Sequence, residues 1–213
     1  MSSLLNAILV IVLVMNLFTL GTSRILAVIR TVAAQGVLLG IISLLAHEHL
    51  TMQAMLVAVA AVVIKGVAIP AIMIRALRDA HIRREVEPLI GLLPSIILGA
   101  LATAFALLFA GQLPLAGPRD GALLVSTAFA TILVGFILLT TRFKALNQVV
   151  GYLVLENGIF IFGMLLIEAM PLVVELGVLL DLFVGIFVIS IIVNHINRAF
   201  SSMDTRKLIS LKE

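Results

Sequence analysis

Seven long apolar runs, each about as long as a membrane-spanning helix, dominate this sequence of 213 residues. A helix needs about 20 predominantly apolar residues to cross the hydrocarbon core of a bilayer. Backbone groups in lipid must be hydrogen-bonded within a helix or a closed barrel. Barrel strands alternate apolar and polar residues, whereas these runs are continuous. The runs therefore predict an all-α fold, a polytopic bundle of about seven transmembrane helices.

Composition narrows the chemistry that the chain can perform. Hydrophobic residues make up 62% of the sequence and charged residues only 12%, about half the charge of an ordinary soluble domain. The absence of cysteine excludes disulfides, thiolate metal sites and iron–sulfur ligation by this chain. There is also no phosphate-binding glycine loop, paired-histidine zinc motif or serine nucleophile elbow. We expect no catalysis and no bound cofactor or metal in this chain alone.

The apolar runs define a layout of one integral membrane domain. Helices are predicted at residues 4–22, 25–46, 52–76, 89–111, 120–141, 145–167 and 172–196, with residues 198–213 as a polar tail. If seven helices alternate in direction, most of the basic residues fall on one side: Arg24, Arg75, Arg78, Arg83, Arg84, Arg142, Lys144, Arg198, Arg206, Lys207 and Lys212. The positive-inside bias then predicts an outside N-terminus and a cytoplasmic C-terminus.

Three ionisable residues lie deep in the predicted helices: Lys65 in the third, Glu156 in the sixth and Asp181 in the seventh. A charge at that depth costs roughly 2.5–3.5 kcal/mol on insertion scales and by default marks an ion or proton pathway. The alternative interpretation is a buried ion pair that only fixes helix packing. Lys65 can pair with Glu156, with Asp181 or with an acid on a partner subunit.

The sixth predicted helix carries the most informative pattern. Gln148, Tyr152 and Glu156 recur every four residues and so share one helical face. Asn147 lies near the helix start and Asn157 beside the carboxylate. Together they predict a polar stripe from the cytoplasmic boundary to the membrane centre, with Glu156 as its proton carrier.

Other polar and small residues have a packing interpretation beside the functional one. Gly151 and Gly158 allow a neighbouring helix to approach closely. Gln35 is expected to form a helix–helix hydrogen bond, and Pro70 to kink the third helix. His195 can pass protons, but a histidine near a membrane boundary is more often a tolerated polar residue.

The segment NQVVGYLVLENGIF at residues 147–160, followed by LLDLFVG at residues 179–185, resembles the hydrogenase-4 membrane subunit known as component E. Length, helix layout and polar tail fit that family over the whole chain. Residues 120–196 are also similar to the three-helix K subunit of respiratory complex I and the C subunit of Mrp-type sodium/proton antiporters. Residues 1–111 then form an N-terminal four-helix part.

The resemblance implies a membrane subunit of an energy-converting hydrogenase or formate hydrogenlyase-type complex in a prokaryotic cytoplasmic (inner) membrane. Its partners would be antiporter-like membrane subunits and a peripheral arm that holds nickel–iron and iron–sulfur centres. Glu156 matches the middle-helix glutamate of the K-like unit, and Asp181 stands where the last helix has a second acid. These carboxylates would couple redox chemistry to proton, or sodium, movement.

Two further interpretations of the helix layout come from other functional classes. A faint similarity between the second and third helices and the sixth and seventh suggests a duplicated three-helix unit, which a small autonomous transporter would also have. The chain lacks the aromatic residues expected around a sugar, since it has no tryptophan and one tyrosine. A retinal-type photoreceptor is disfavoured because Lys65 lies in the wrong helix.

Overall fold

The computed structural model describes residues 2–46, 59, 62–79, 89–112, 120–142 and 144–165. These ranges are helical and contain no strand. Their elements are α1 (Ser2–Gly21), α2 (Ile25–Ala46), a π-helical turn (Ile64–Ala68), α3 (Ile69–Asp79), α4 (Leu92–Gln112), α5 (Asp120–Thr141) and α6 (Ala145–Met164). The all-α prediction is confirmed for the described part of the chain.

Five of these helices are long and apolar enough to span a membrane: α1, α2, α4, α5 and α6. They coincide, within a few residues, with five of the predicted spans, and the chain is accordingly treated as a membrane protein. The third predicted span is described only in part, and the seventh, at residues 172–196, lies outside the described residues. The count of seven and the orientation of the termini stay predictions.

The closest helix packing in the described bundle joins α5 to α6 through glycines. A Cβ atom added to Gly135 would lie 2.5 Å from the backbone nitrogen of Leu155 on α6. Equivalent atoms on Gly151 and Gly158 would lie 2.7 Å from Leu139 N and 2.6 Å from Ile132 N on α5. The prediction that Gly151 and Gly158 permit close approach is confirmed, because a side chain at either residue would collide with backbone.

Two apolar clusters fill the bundle, one towards each end. One cluster contains Leu20 of α1, Ile25 of α2, Leu77 of α3, Leu138 of α5 and Leu146 of α6. The other is built from residues nearer the opposite ends of α1, α2, α5 and α6: Leu9, Ile42, Ala128 and Ile161. Polar side chains that are buried in the same four helices lie between the two clusters along the chain: Asn16, Gln35, Thr131, Glu156 and Asn157.

The outer surface of the described helices is apolar. Large side chains such as Leu93, Leu101 and Leu108 on α4 are more than 60% exposed. Because water would oppose so much exposed apolar area, this surface fits contact with lipid or with other membrane subunits. α4 packs mainly against α5 and α1, so it forms the periphery of the described bundle.

Gly158→Ala is expected to lower the thermal unfolding temperature of the detergent-solubilised chain. The added methyl group would force α5 and α6 apart, and such overpacking costs about 1–3 kcal/mol. This loss exceeds the gain of up to about 1 kcal/mol in helix propensity when alanine replaces glycine.

Gly163→Ala provides the matched control on the same helix, since no atom of another described element lies within 4 Å of its added Cβ. That variant should unfold at or slightly above the wild-type temperature. Equal unfolding temperatures for the two variants would contradict the role of Gly158 in the close packing of α5 against α6.

Candidate functional site

The backbone around Lys65 departs from a regular α-helix. In the π-helical turn Ile64–Ala68, the amide of Ile69 donates to the carbonyl oxygen of Ile64, five residues earlier. The π turn results from Pro70, the residue after Ile69. Proline has no N–H to donate, and in a regular α-helix its ring would crowd the carbonyl oxygen of Gly66. A wider π turn relieves this crowding and frequently occurs at functional sites. The structure thus has a π turn just before Pro70, where the sequence predicts a kink.

Lys65 and Glu156 form a buried ion pair between the π turn and α6. Lys65 Nζ lies 2.9 Å from Glu156 Oε1, and the two side chains are 12% and 3% exposed. The ammonium group also lies 5.0 Å from the ring centroid of Phe160, one turn along α6, close enough for a cation–π attraction. Of the partners that the sequence left open for Lys65, the structure brings it to Glu156.

Close contact with α2 fixes the position of the Lys65 backbone. A Cβ atom on Gly36 of α2 would lie 2.8 Å from Lys65 Cβ, and one on Gly66 would lie 2.6 Å from Val37 Cγ2. The two glycines thus let the π turn and α2 interlock, with each backbone receiving the other's side chain. The Cα and Cβ atoms of Lys65 are consequently held in place, although the rest of its side chain is long and flexible.

A chain of side-chain hydrogen bonds crosses four helices next to the ion pair. Asn157 Nδ2 donates to Gln35 Oε1 (3.2 Å), and Gln35 Nε2 donates to Asn16 Oδ1 (2.8 Å). Asn16 Nδ2 donates to Thr131 Oγ1 (2.8 Å), which donates to the Thr127 carbonyl (2.7 Å). We call Asn157, Gln35, Asn16 and Thr131 the polar chain. The helix–helix hydrogen bond expected of Gln35 is confirmed, since its side chain bonds to both α6 and α1.

A small cavity of about 10 Å³ adjoins both the ion pair and the polar chain. Lys65 and Asn157 are its polar lining residues, and the rest is apolar, including Val32, Met73 and Val150. This volume is close to the least that holds one water molecule. From Lys65 the cavity extends between α2, α3 and α6, towards the end of the bundle where Arg24 and Arg142 lie.

The polar stripe of α6 begins at that end and reaches Glu156 on one continuous helix. Gln148 is exposed and donates through Nε2 to the carbonyl oxygen of Arg142 (3.2 Å), while Tyr152 is half-buried. Asn147 is buried, with 4% exposure. The residues lie as the spacing predicts, and their role in proton transfer stays a prediction.

Asp181 and His195, also predicted as proton-translocation residues, lie outside the described residues. Within the described ranges, no group of three or more His, Cys, Asp or Glu side chains comes together as a metal site.

Arg142 is a buried residue that the sequence analysis assigned only to the basic boundary. It is 2% exposed, and its Nη2 donates to the carbonyl oxygen of Leu20 at the C-terminal end of α1 (2.9 Å). Burial lowers the pKa of the Arg142 guanidinium from its ordinary value, since a low-dielectric surrounding disfavours the charged form. The cation caps the last turn of α1, where carbonyl groups lack helical partners.

The basic end of the described bundle is now defined by structure as well as by sequence. Leu20 and Arg142 meet there, and the Leu89 amide donates to the Thr141 carbonyl (2.9 Å). The other bases at this end are Arg24, Arg75, Arg78 and Lys144. The opposite helix ends, at Ser2, Ala46, Gln112, Asp120 and Met164, have no Lys or Arg among their described residues.

Comparison with known proteins finds relatives that align with most of this chain. The uncharacterized protein Rv0085 of Mycobacterium tuberculosis (strain ATCC 25618 / H37Rv) is 32% identical over 193 residues, covering 88% of this chain and 86% of the relative. The chain belongs to the family of Rv0085. No family model matches the chain, and no solved structure matches it significantly.

A more distant similarity links the chain to hydrogenase-4 component E. The Escherichia coli (strain K12) protein is 26% identical over 178 residues, covering 83% of this chain and 82% of the relative, and the Shigella flexneri protein matches equally. The resemblance predicted from residues 147–160 and 179–185 is therefore confirmed as a distant one that extends over most of the chain.

Lys65→Met is expected to destabilise the chain strongly. It removes one partner of a buried pair and takes away the ammonium group that lies 2.9 Å from the Glu156 carboxylate, which costs about 3–5 kcal/mol. Adding Glu156→Gln to the same chain also removes the buried negative charge, so the double variant should regain most of that stability. Unfolding in detergent, measured for both single variants and the double variant, gives the coupling directly.

Arg24→Met is the control, since it removes an exposed cation at the end of the bundle. Its effect should stay within about 0.5 kcal/mol, as for surface substitutions in general. Strictly additive effects at Lys65 and Glu156 would rule out the energetic pairing.

Proposed function

We propose that this chain is a non-catalytic membrane subunit of a membrane-bound, energy-converting hydrogenase of the formate hydrogenlyase type. The distant similarity to hydrogenase-4 component E over 83% of the chain supports this assignment. Its partners are antiporter-like membrane subunits and a peripheral redox arm, and nickel–iron and iron–sulfur centres belong to that arm. The complex resides in a prokaryotic cytoplasmic membrane.

Within that complex, the chain contributes the Lys65–Glu156 pair to redox-coupled proton, or sodium, translocation. The single observation that carries this role is the burial of an ionisable pair, 2.9 Å apart, in a bundle whose long helices are apolar. Structural stability alone is a weak reason to keep such a pair, because well-packed hydrophobic residues are often as stable or more so. Ionisable residues at membrane depth are instead typical of ion pathways.

Charge coupling between the two residues supplies the chemical step. Protonation of Glu156 would remove the negative charge that lies beside Lys65, and deprotonation of Lys65 would remove the positive charge that lies beside Glu156. Because Lys65 Nζ and Glu156 Oε1 lie 2.9 Å apart, a change of charge on one changes the electrostatic energy of the other. The adjoining cavity offers space for about one water beside Lys65, and Gln148 and Tyr152 lie on α6 between the basic end of the bundle and Glu156. Asp181 and His195 would extend the same pathway.

The proposed orientation places the basic end of the bundle in the cytoplasm. Arg24, Arg75, Arg78, Arg142 and Lys144 all lie at this end. Cytoplasmic boundaries are enriched in Lys and Arg. The stripe of α6 then opens to the cytoplasm, and Glu156 receives its protons from that side.

Glu156→Gln is expected to abolish proton translocation by vesicles that contain the complex while leaving assembly largely intact. Partner subunits that bind the folded chain offset the stability that is lost with the ion pair, and the translocation rate is expressed per amount of assembled complex. Glutamine keeps the shape of the side chain but cannot take up and release a proton. Translocation is followed with a pH-sensitive dye as the complex turns over, and assembly by mass spectrometry of the proteins that co-purify with the tagged chain. Unchanged translocation by this variant would refute the role of Glu156.

Asp120→Asn is the matched control because it also removes one carboxylate. Asp120 begins α5, roughly 16 Å along that helix from Thr131 at a rise of 1.5 Å per residue. Translocation should remain at the wild-type rate. A tagged wild-type chain that purifies alone, without antiporter-like or redox subunits, would refute membership of the complex and direct attention to autonomous transport.

A further inference from the structure

Two adjacent residues of α2 hold the two sides of the ion pair in register. Gln35 accepts a hydrogen bond from Asn157, the residue that follows Glu156 on α6. Gly36, the next residue of α2, receives Lys65 so closely that an added Cβ would lie 2.8 Å from Lys65 Cβ. One short segment of α2 therefore contacts both the helix that carries the acid and the turn that carries the base.

The orientation of α6 decides where Glu156 points. Successive residues of an α-helix are rotated by about 100° because there are 3.6 residues per turn. Holding Asn157 against α2 thus fixes the rotation of α6 about its axis and, with it, the direction of the neighbouring Glu156 side chain. The glycine contacts between α5 and α6 fix the separation of those helices, so the hydrogen bond to Gln35 adds the rotational constraint.

Gln35 is suited to this position because an amide donates and accepts at once without carrying a charge. Its Oε1 accepts from Asn157 and its Nε2 donates to Asn16, which in turn donates to Thr131. Gln35, Asn16 and Thr131 are each 0% exposed. A buried amide that lost these partners would be costly, so the polar chain has one favourable arrangement and holds α6 in it.

We propose that Gln35 is a positioning residue for Glu156, acting through Asn157, while Gly36 sets the position of Lys65. This inference rests on the proposed role of Glu156 and names the residues that align its ion pair. The described hydrogen bonds of the Gln35 side chain join it to Asn157 and Asn16. It sets the fraction of time that the carboxylate is engaged by Lys65.

The test measures the reactivity of Glu156 towards a hydrophobic carbodiimide, which adds to buried carboxyl groups, in the full chain in nanodiscs. Mass spectrometry resolves the modified residue, and Lys65→Met serves as the positive control for a disengaged carboxylate. Gln35→Met should raise the labelling rate of Glu156 about fivefold, the factor that corresponds to one ordinary hydrogen bond. Gly36→Ala should raise it through displacement of Lys65.

Thr131 provides a conservative pair of variants at the far end of the polar chain. Thr131→Val removes the hydroxyl group that accepts from Asn16 and should raise the labelling rate, whereas Thr131→Ser keeps that group and should restore the wild-type rate. Ser126→Ala is the control for loss of a buried hydroxyl, since the described hydrogen bond of Ser126 goes to Ala122 within α5. It should leave the rate unchanged. If Gln35→Met does not fold, the labelling rates of Thr131→Val and Thr131→Ser test the positioning role instead.

Wild-type labelling rates in both Gln35→Met and Thr131→Val would overturn the positioning role, because the polar chain would then only pack helices. The labelling measurement does not depend on ion transport. Faster labelling in these variants, together with translocation that survives Glu156→Gln, would uphold the positioning role and overturn the proposed function. Loss of translocation in Glu156→Gln, together with wild-type labelling in Gln35→Met and Thr131→Val, would support the proposed function and overturn the positioning role.

Discussion

The burial of a lysine and a glutamate against each other is the interaction on which the rest of this bundle depends. Removing two charges from water costs several kcal/mol per ion, and their attraction offsets that cost only when the geometry is good. The structure brings Lys65 Nζ within 2.9 Å of Glu156 Oε1. Apolar helices that slide freely past one another would not maintain this contact, so the helices themselves must be held in register.

Two different devices hold that register, and they act on different degrees of freedom. Glycines let α5 and α6, and likewise α2 and the π turn, approach until side chains meet backbone, which fixes distance. The polar chain from Asn157 to Thr131 links α6, α2, α1 and α5 in succession, and direct packing of α5 on α6 closes the ring. Hydrogen bonds depend on angle as well as distance, so the polar chain also restricts rotation of each helix.

Much of this fold could be predicted from sequence because lipid imposes a simple rule on every span. Long apolar runs gave the helices of α1, α2, α4, α5 and α6 to within a few residues, and the spacing of Gly151 and Gly158 indicated a packed face. The π turn was missed because it results from Pro70 together with the interlocking of Gly66 and α2, which a one-dimensional pattern does not contain.

The candidate site was predictable in its ionisable residues but less so in its partners. Glu156 and Lys65 stand out because charge is expensive at membrane depth, yet their pairing needed the fold. Asn16 and Thr131 carry no such signal, since a single amide or hydroxyl in an apolar helix can bond to its own backbone, as Thr19 does. Arg142 was assigned to the solvated boundary, where bases are common, and its burial against Leu20 depends on how α1 and α5 end together.

The buried groups of the site fall into two kinds, neutral side chains whose charge does not depend on pH and ionisable side chains. Asn16, Gln35, Thr131 and Asn157 keep the same charge and the same hydrogen-bonding groups at any physiological pH. Among the described residues next to them, Lys65 and Glu156 are the ones with ionisable side chains. A neutral, fully bonded frame therefore surrounds a pair whose charge can change, and the frame need not reorganise when it does. The charge relay proposed for this site requires this combination, because a frame that itself ionised would compete for the proton and a loose frame would let the pair separate.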